Sequence, residues 1–155
     1  RVKSWRHGNQ GLVPRYMPEE DREGTIDLCV HNMYRAPARP ERLFMQFHGG
    51  VYRSDNGGAV WTDLGASLPS DFGFPVVTDP ADSDRAWVVP MNADLDRVTV
   101  DGLVRVFETR DGGASWASSS DAQIWMRIDR TRAAGSGPNV VTRVWRLMPS
   151  TSSMT

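Results

Sequence analysis

Residues 51–61 read VYRSDNGGAVW and residues 106–116 read VFETRDGGASW, and the two stretches align without a gap. Each is a β-rich run, then a turn built on two adjacent glycines, then a tryptophan. Adjacent glycines suit a turn whose backbone takes positive φ, so both stretches read as a strand, a tight reversal and a second strand. A second pair of blocks lies upstream in the same order, PARPERLF at 37–44 against PADSDRAW at 80–87. A truncated third copy opens the chain, since Trp5 followed by Leu12 mirrors Trp61 followed by Leu68. Trp5, Trp61 and Trp116 stand 56 and 55 residues apart.

The near-equal spacing conceals two insertions. From tryptophan to the Pro-Ala block takes 32 residues in the first copy and 19 in the second, whereas from that block to the next tryptophan takes 24 and then 36. The shared core is 43 residues, the size of one four-stranded propeller blade. The expected fold is therefore all-β: a β-propeller fragment of about two four-stranded antiparallel blades plus part of a third. Residues 1–24 are assigned to the end of a preceding blade and a long connection, 25–72 to a first full blade, 73–120 to a second, and 121–155 to a tail that does not match the repeat. Strands are expected at about 25–34, 43–48, 51–54 and 60–64, then at 74–78, 86–90, 103–109 and 115–118. Gly49 and Gly50 are expected to be the central pair of a primed hairpin turn. Leu43, Met45 and Phe47 alternate with Phe44, Gln46 and His48, and the apolar side is expected to face a neighbouring blade.

Composition adds exclusions. Of 155 residues, 18 are basic and 19 acidic, giving a formal charge of -1 spread along the chain, which argues against nucleic acid or an anionic membrane as partner. No run approaches the roughly 20 apolar residues of a membrane span, and no apolar signal segment follows the first three residues; the compartment stays open. Cys29, the single cysteine, rules out an internal disulfide and is expected to be a buried, inert thiol.

The turns fit the Asp box, Ser/Thr-x-Asp-x-Gly-x-x-Trp. In the second copy the pattern residues are Thr109, Asp111, Gly113 and Trp116; in the first they are Ser54, Asn56, Gly58 and Trp61. A carboxylate at 111 can accept backbone N–H groups of the turn, and Asn56 can do the same through its amide oxygen without the charge. The alternative, a calcium loop, lacks the spaced ligands and terminal glutamate of that motif, so neither metal nor cofactor is expected. Residues 12–116 resemble the bacterial BNR/Asp-box repeat proteins, sialidase-like or glycosyl hydrolase-like, through CVH at 29–31, the 37–43 block, QFHGGVYRSD at 46–55 and LPSDFGFP at 68–75. The resemblance implies a longer, complete propeller with its ligand on the face away from the Asp boxes, and carbohydrate or a protein as partner. Hydrolases of this kind use an arginine cluster and a tyrosine–glutamate pair, and neither can be matched here residue by residue. Non-catalytic scaffold or recognition propellers share the same boxes.

Both insertions, 13–24 and about 91–102, fall in connections on the face opposite the boxes, where loop elaboration marks a binding face. The candidate ligand residues there are Glu19, Glu20, Asp21, His48, Asp71, Asn92, Asp94 and Asp96. No catalytic role is assigned to any, because two placed carboxylates are the minimum for glycoside hydrolysis and none is singled out. His31 is expected on the innermost strand with Asp27 and Cys29 on its side, hydrogen-bonded along the channel. A Cys29–His31 nucleophile pair is disfavoured, since residues two apart on a strand stand too far apart for proton transfer.

Overall fold

The computed structural model describes residues 4, 6–23, 25 and 28–119. Trp5, Asp27 and the tail at 121–155 lie outside the described residues.

Among the described residues, eight strands form two four-stranded antiparallel sheets in simple sequential order, which is the blade pattern of a β-propeller. The first blade contains β1 (Val30–Arg35), β2 (Leu43–Phe47), β3 (Gly50–Ser54) and β4 (Thr62–Asp63). The second contains β5 (Gly73–Thr78), β6 (Ala86–Pro90), β7 (Phe107–Thr109) and β8 (Ala117–Ser118). The first strand of the second blade packs against β1 and β2. Between the sheets Phe44, Val51 and Leu64 of the first blade bury against Val76, Ala86, Val88 and Trp116 of the second. Removal of this apolar surface from water holds the blades together.

The repeat shows in the tryptophan bonds as well. The Trp116 indole N–H donates to the Leu64 carbonyl at 3.0 Å, and that of Trp61 to the Gly8 carbonyl at 2.8 Å. Leu64 and Gly8 each stand three residues after a tryptophan of the repeat. Residue 10 forms a parallel bridge with residue 60, and Leu12 packs on a second cluster of Leu43, Met45, Phe47, Tyr52 and Trp61. Residues 8–12 thus occupy beside the first blade the place that 64–68 take beside the second, and they are the part of a third blade.

Several strand details differ from the sequence expectation. The innermost strand starts at Val30 rather than about 25, and β7 starts at Phe107 rather than 103. A β-bulge causes local change in β1: Val30 faces Phe47 while Asn32 faces Gln46, so His31 is the extra, unpaired residue. The hairpin between β2 and β3 pairs Phe47 with Gly50, which makes His48 and Gly49 its central residues. Neither has positive φ; that falls on Gly50, at 148°, so the turn is not a primed glycine pair. A Cβ there would also meet the Tyr52 ring and the Arg15 guanidinium, at 3.0 and 3.1 Å. The apolar side of β2 does face a neighbour as expected, and its other side is buried as well. All five residues are buried, because Phe44 and Gln46 face the second blade while Leu43, Met45 and Phe47 meet Trp61 and Leu12.

Each glycine pair closes its turn with positive φ, at 71° and 91° for Gly57 and Gly58 and at 70° and 93° for Gly112 and Gly113. The Ser54 and Thr109 hydroxyls accept the N–H of Gly58 and Gly113 at 2.9 and 2.7 Å. At 2.9 Å in both turns, the side-chain oxygens of Asn56 and Asp111 accept the N–H of Val60 and Ser115.

Candidate functional site

In a sheet of up-and-down strands, alternate connections leave from alternate ends. The two glycine turns join β3 to β4 and β7 to β8, so the β2–β3, β4–β5 and β6–β7 connections and the segment that leads into β1 gather at the far end. There a solvent-open cleft of about 230 Å³ is lined by Arg15, Tyr16, His48, Gly49, Asp71, Phe72, Asn92, Ala93 and Asp94. His48, Asp71, Asn92 and Asp94, four of the five polar loop residues named from sequence on the two blades, thus meet around one space. Glu19, Glu20 and Asp21 do not line it; they form an exposed single 3-10 turn, with Arg22 donating its backbone N–H to the Glu19 carbonyl. Asp96 stands behind the cleft and accepts from the Asn92 amide at 2.9 Å.

Sequence reasoning missed Arg15, which organises one wall. Its guanidinium pairs with Asp63, reaches Asp71 at 3.1 Å and donates to the Gly49 carbonyl at 2.7 Å. The hydrogen bond to Asp63 holds this already basic group further toward its charged form. Arg15 joins three chain segments far apart in sequence, which no local motif announces. Gln46, buried in β2, donates to the Asp71 carbonyl at 2.8 Å and steadies the same loop from inside. Tyr16 was missed for a similar reason: its ring packs against His48, with centroids 4.4 Å apart.

The opposite wall is the β6–β7 loop. Asp94 accepts from Arg97 at 2.6 Å, and this bond holds its carboxyl below the usual carboxylate range. Its other oxygen lies 3.5 Å from Nε2 of His48. Burial pushes the His48 pKa below its ordinary value, and the attraction of Asp94 does not offset that. At neutral pH the cleft therefore presents an ionised carboxylate beside an uncharged imidazole.

His31 and Cys29 stand beside the cleft. The Nδ1 of His31 lies 2.6 Å from the Gly73 carbonyl, and its Nε2 lies 3.2 Å from Nδ1 of His48. Phe74 stacks on the His31 ring at 4.6 Å, and Phe72 meets it edge-on at 5.5 Å. Cys29 is exposed, contrary to the expectation of a buried thiol, and it precedes β1. One ligand atom each from Cys29, His31 and His48 lies within 4.8 Å of the others. Residues two apart on a flat strand stand roughly 6.5 Å apart at the backbone; the bulge at His31 breaks that flat strand, and the side-chain donor atoms converge.

No family model matches this chain, and no curated protein matches it. Among solved structures, it is similar to an ancestral GH74 enzyme, with 19% identity and a TM-score of 0.44 over 57% of this chain and 12% of that chain. It is also similar to the GH74 xyloglucanase from Xanthomonas campestris, with 21% identity and a TM-score of 0.40 over 57% of this chain and 14% of that chain. The chain thus spans a small part of either enzyme. Among the described residues no helix is long and apolar enough to cross a membrane.

Proposed function

We propose that the chain belongs to an Asp-box (BNR-repeat) propeller of the sialidase-like kind and that the cleft on its loop-rich face binds carbohydrate. The convergence of His48, Asp71, Asn92 and Asp94 with Arg15 and Tyr16 around one open cleft carries this reading. Sugar hydroxyls are both donors and acceptors, and they suit carboxylates, a primary amide and an imidazole set beside an aromatic ring. Arg15 is already shared between Asp63 and Asp71, so its charge is matched before any ligand arrives. That favours a neutral sugar over an acidic one at this part of the site.

Binding is favoured over hydrolysis by the two blades alone. A glycosidase needs a carboxylic acid that keeps its proton at working pH, together with a second carboxylate. Asp94 is displaced toward the ionised form, the opposite of a general acid. A complete glycosidase site would draw its acid from other blades of the ring.

The test is a titration of isotope-labelled full chain with a panel of neutral oligosaccharides and sialosides, read by amide chemical shifts. Shifts confined to the loops of Tyr16, His48, Asp71 and Asn92, weakened about fivefold by Asn92→Ala, are the expected result. Saturable shifts on another face, or none with any sugar, would remove the reading in favour of a scaffold or protein-recognition role. Parallel assays with fluorogenic glycosides should show no turnover; turnover abolished by Asp71→Asn would establish an enzyme instead.

A further inference from the structure

We propose that Cys29, His31 and His48 form a binding site for zinc or a similarly thiophilic divalent ion, with His31 coordinating through Nε2 and His48 through Nδ1. The two histidines present these nitrogens to each other at 3.2 Å. Two zinc–nitrogen bonds of about 2.0–2.1 Å meeting at a tetrahedral angle place their nitrogens about 3.3 Å apart. The imidazoles therefore already stand at metal-ligand separation. The third donor, the Cys29 sulfur, lies within 4.8 Å of one nitrogen of each ring, and a tetrahedral sulfur–nitrogen edge of about 3.5 Å asks it to move inward by on the order of 1 Å. The Cys29 backbone is held by the His48 N–H on its carbonyl at 2.9 Å and by its own N–H on the Tyr16 hydroxyl at 3.0 Å, so the exposed side chain makes this shift by turning about its Cα–Cβ bond.

Hydrogen-bond accounting supports the same assignment. The Gly73 carbonyl can only accept, so Nδ1 of His31 carries a proton and donates at 2.6 Å. In the neutral ring this leaves a lone pair on Nε2, directed at His48. Nε2 of His48 lies 3.5 Å from the Asp94 carboxylate, which can only accept, so the His48 proton belongs on Nε2 and its lone pair on Nδ1, and the inner nitrogens of the two rings then face each other as acceptors at 3.2 Å. An ion between the rings removes this conflict. Both inner nitrogens then coordinate, and both outer ones donate, His31 to the Gly73 carbonyl and His48 to Asp94. Metal-bound histidines characteristically donate their second ring N–H to a backbone carbonyl or a carboxylate in this way. Cys29 releases its thiol proton to solvent on binding and coordinates as thiolate.

Phe74, Phe72 and Tyr16 pack against the two imidazoles and fix their planes. One sulfur and two imidazoles suit zinc or copper better than calcium or magnesium, which take oxygen ligands. Three protein ligands leave one position for water or an incoming group.

The full chain, kept reduced with a phosphine, would be titrated with Zn²⁺ against a chromophoric chelator and with Co²⁺ by absorption spectroscopy. Expected are one equivalent bound, tetrahedral cobalt bands and a thiolate-to-cobalt charge-transfer band. Cys29→Ser should abolish the charge-transfer band and weaken zinc at least tenfold, and Asp94→Asn should weaken it about ten- to a hundredfold. Near-ultraviolet circular dichroism of the tryptophans checks that the variants remain folded. Failure of the wild-type chain to bind Zn²⁺, cobalt bound without the thiolate band, or equal affinity in Cys29→Ser would each overturn the proposal. The sugar titration is tested through Asn92→Ala, and Asn92 is not a proposed ligand, so the two readings fail separately.

Discussion

The turns at 54–61 and 109–116 have the same backbone and different chemistry. Their glycine φ values agree within two degrees. Each places one side-chain oxygen, from Asn56 or Asp111, on the N–H four residues ahead at 2.9 Å. The turn geometry therefore needs one acceptor at that position and does not need its charge. What the carboxylate adds is a second oxygen, which accepts the Ser115 hydroxyl at 2.5 Å; the corresponding residue in the first turn, Val60, has no hydroxyl. The first turn has its own carboxylate one residue earlier, but Asp55 is turned toward Arg42 and Arg53, at 2.6 and 3.0 Å. Arg42 also pairs with Asp84, and Arg53 donates to the Gly112 carbonyl, so charge in the first blade reaches across to the second. In the second blade the matching Arg85 turns instead to Glu108 of its own sheet.

The comparison predicts its largest effect where the turns agree. Trp61 and Trp116 are both buried, and each donates its indole N–H to a carbonyl of the preceding repeat. Replacing either with alanine should cost about 3–5 kcal/mol, read from urea melts. Trp116 seals the cluster between two complete sheets, whereas Trp61 packs against residues 8–12, so Trp116→Ala should be the costlier. A clearly greater loss for Trp61→Ala would mean that residues 8–12 contribute more to cohesion than the contact between blades.

The next effect separates the turns. Asp111→Ala should cost about 1–2 kcal/mol and Asn56→Ala about 0.5–1, after allowing for the solvent exposure of both side chains. Hydrogen bonds from Ser115 hold the Asp111 carboxyl down at about 2, against an ordinary value of 3.8. A depressed carboxylate pKa gives stability that is present above the unfolded value and lost as pH falls through the folded one. The gap between wild type and Asp111→Asn should therefore be full at pH 5 and close on approach to pH 2. A pH-independent gap would assign the difference to shape rather than charge.

Much of this was legible in the sequence because the repeat fixes equivalent positions. The small glycines, the hydroxyl at 54 or 109 and the tryptophans act within short stretches, so their spacing carried the geometry. The cleft was legible only in part. His48, Asp71, Asn92 and Asp94 could be placed by asking which connections share an end of the sheet. Arg15 could not, since its partners at 49, 63 and 71 are set by tertiary packing. The bulge at His31 was invisible for a related reason, because an unpaired residue in a strand leaves the alternation of side chains unreadable. Without it, the approach of Cys29 to the two histidines had no signal.

The smallest predicted effect isolates the hydroxyl contact that divides the two turns. Asn56→Asp alone supplies the charge but not its partner, and it sets a second carboxylate beside Asp55, so its net effect should lie within about 0.5 kcal/mol of zero. Val60→Ser alone supplies a hydroxyl that Asn56 can serve only through its amide, and at this exposed site its effect should be similarly small. Together they should rebuild the pair seen between Asp111 and Ser115. A double-mutant cycle in urea at neutral pH is therefore expected to give a favourable coupling of about 0.5–1 kcal/mol. The same cycle near pH 2 should give little, because protonation of the new carboxyl removes the charged acceptor. Coupling absent at neutral pH would show that the serine hydroxyl is not what distinguishes the turns, and would shift the explanation to the arginines gathered on Asp55.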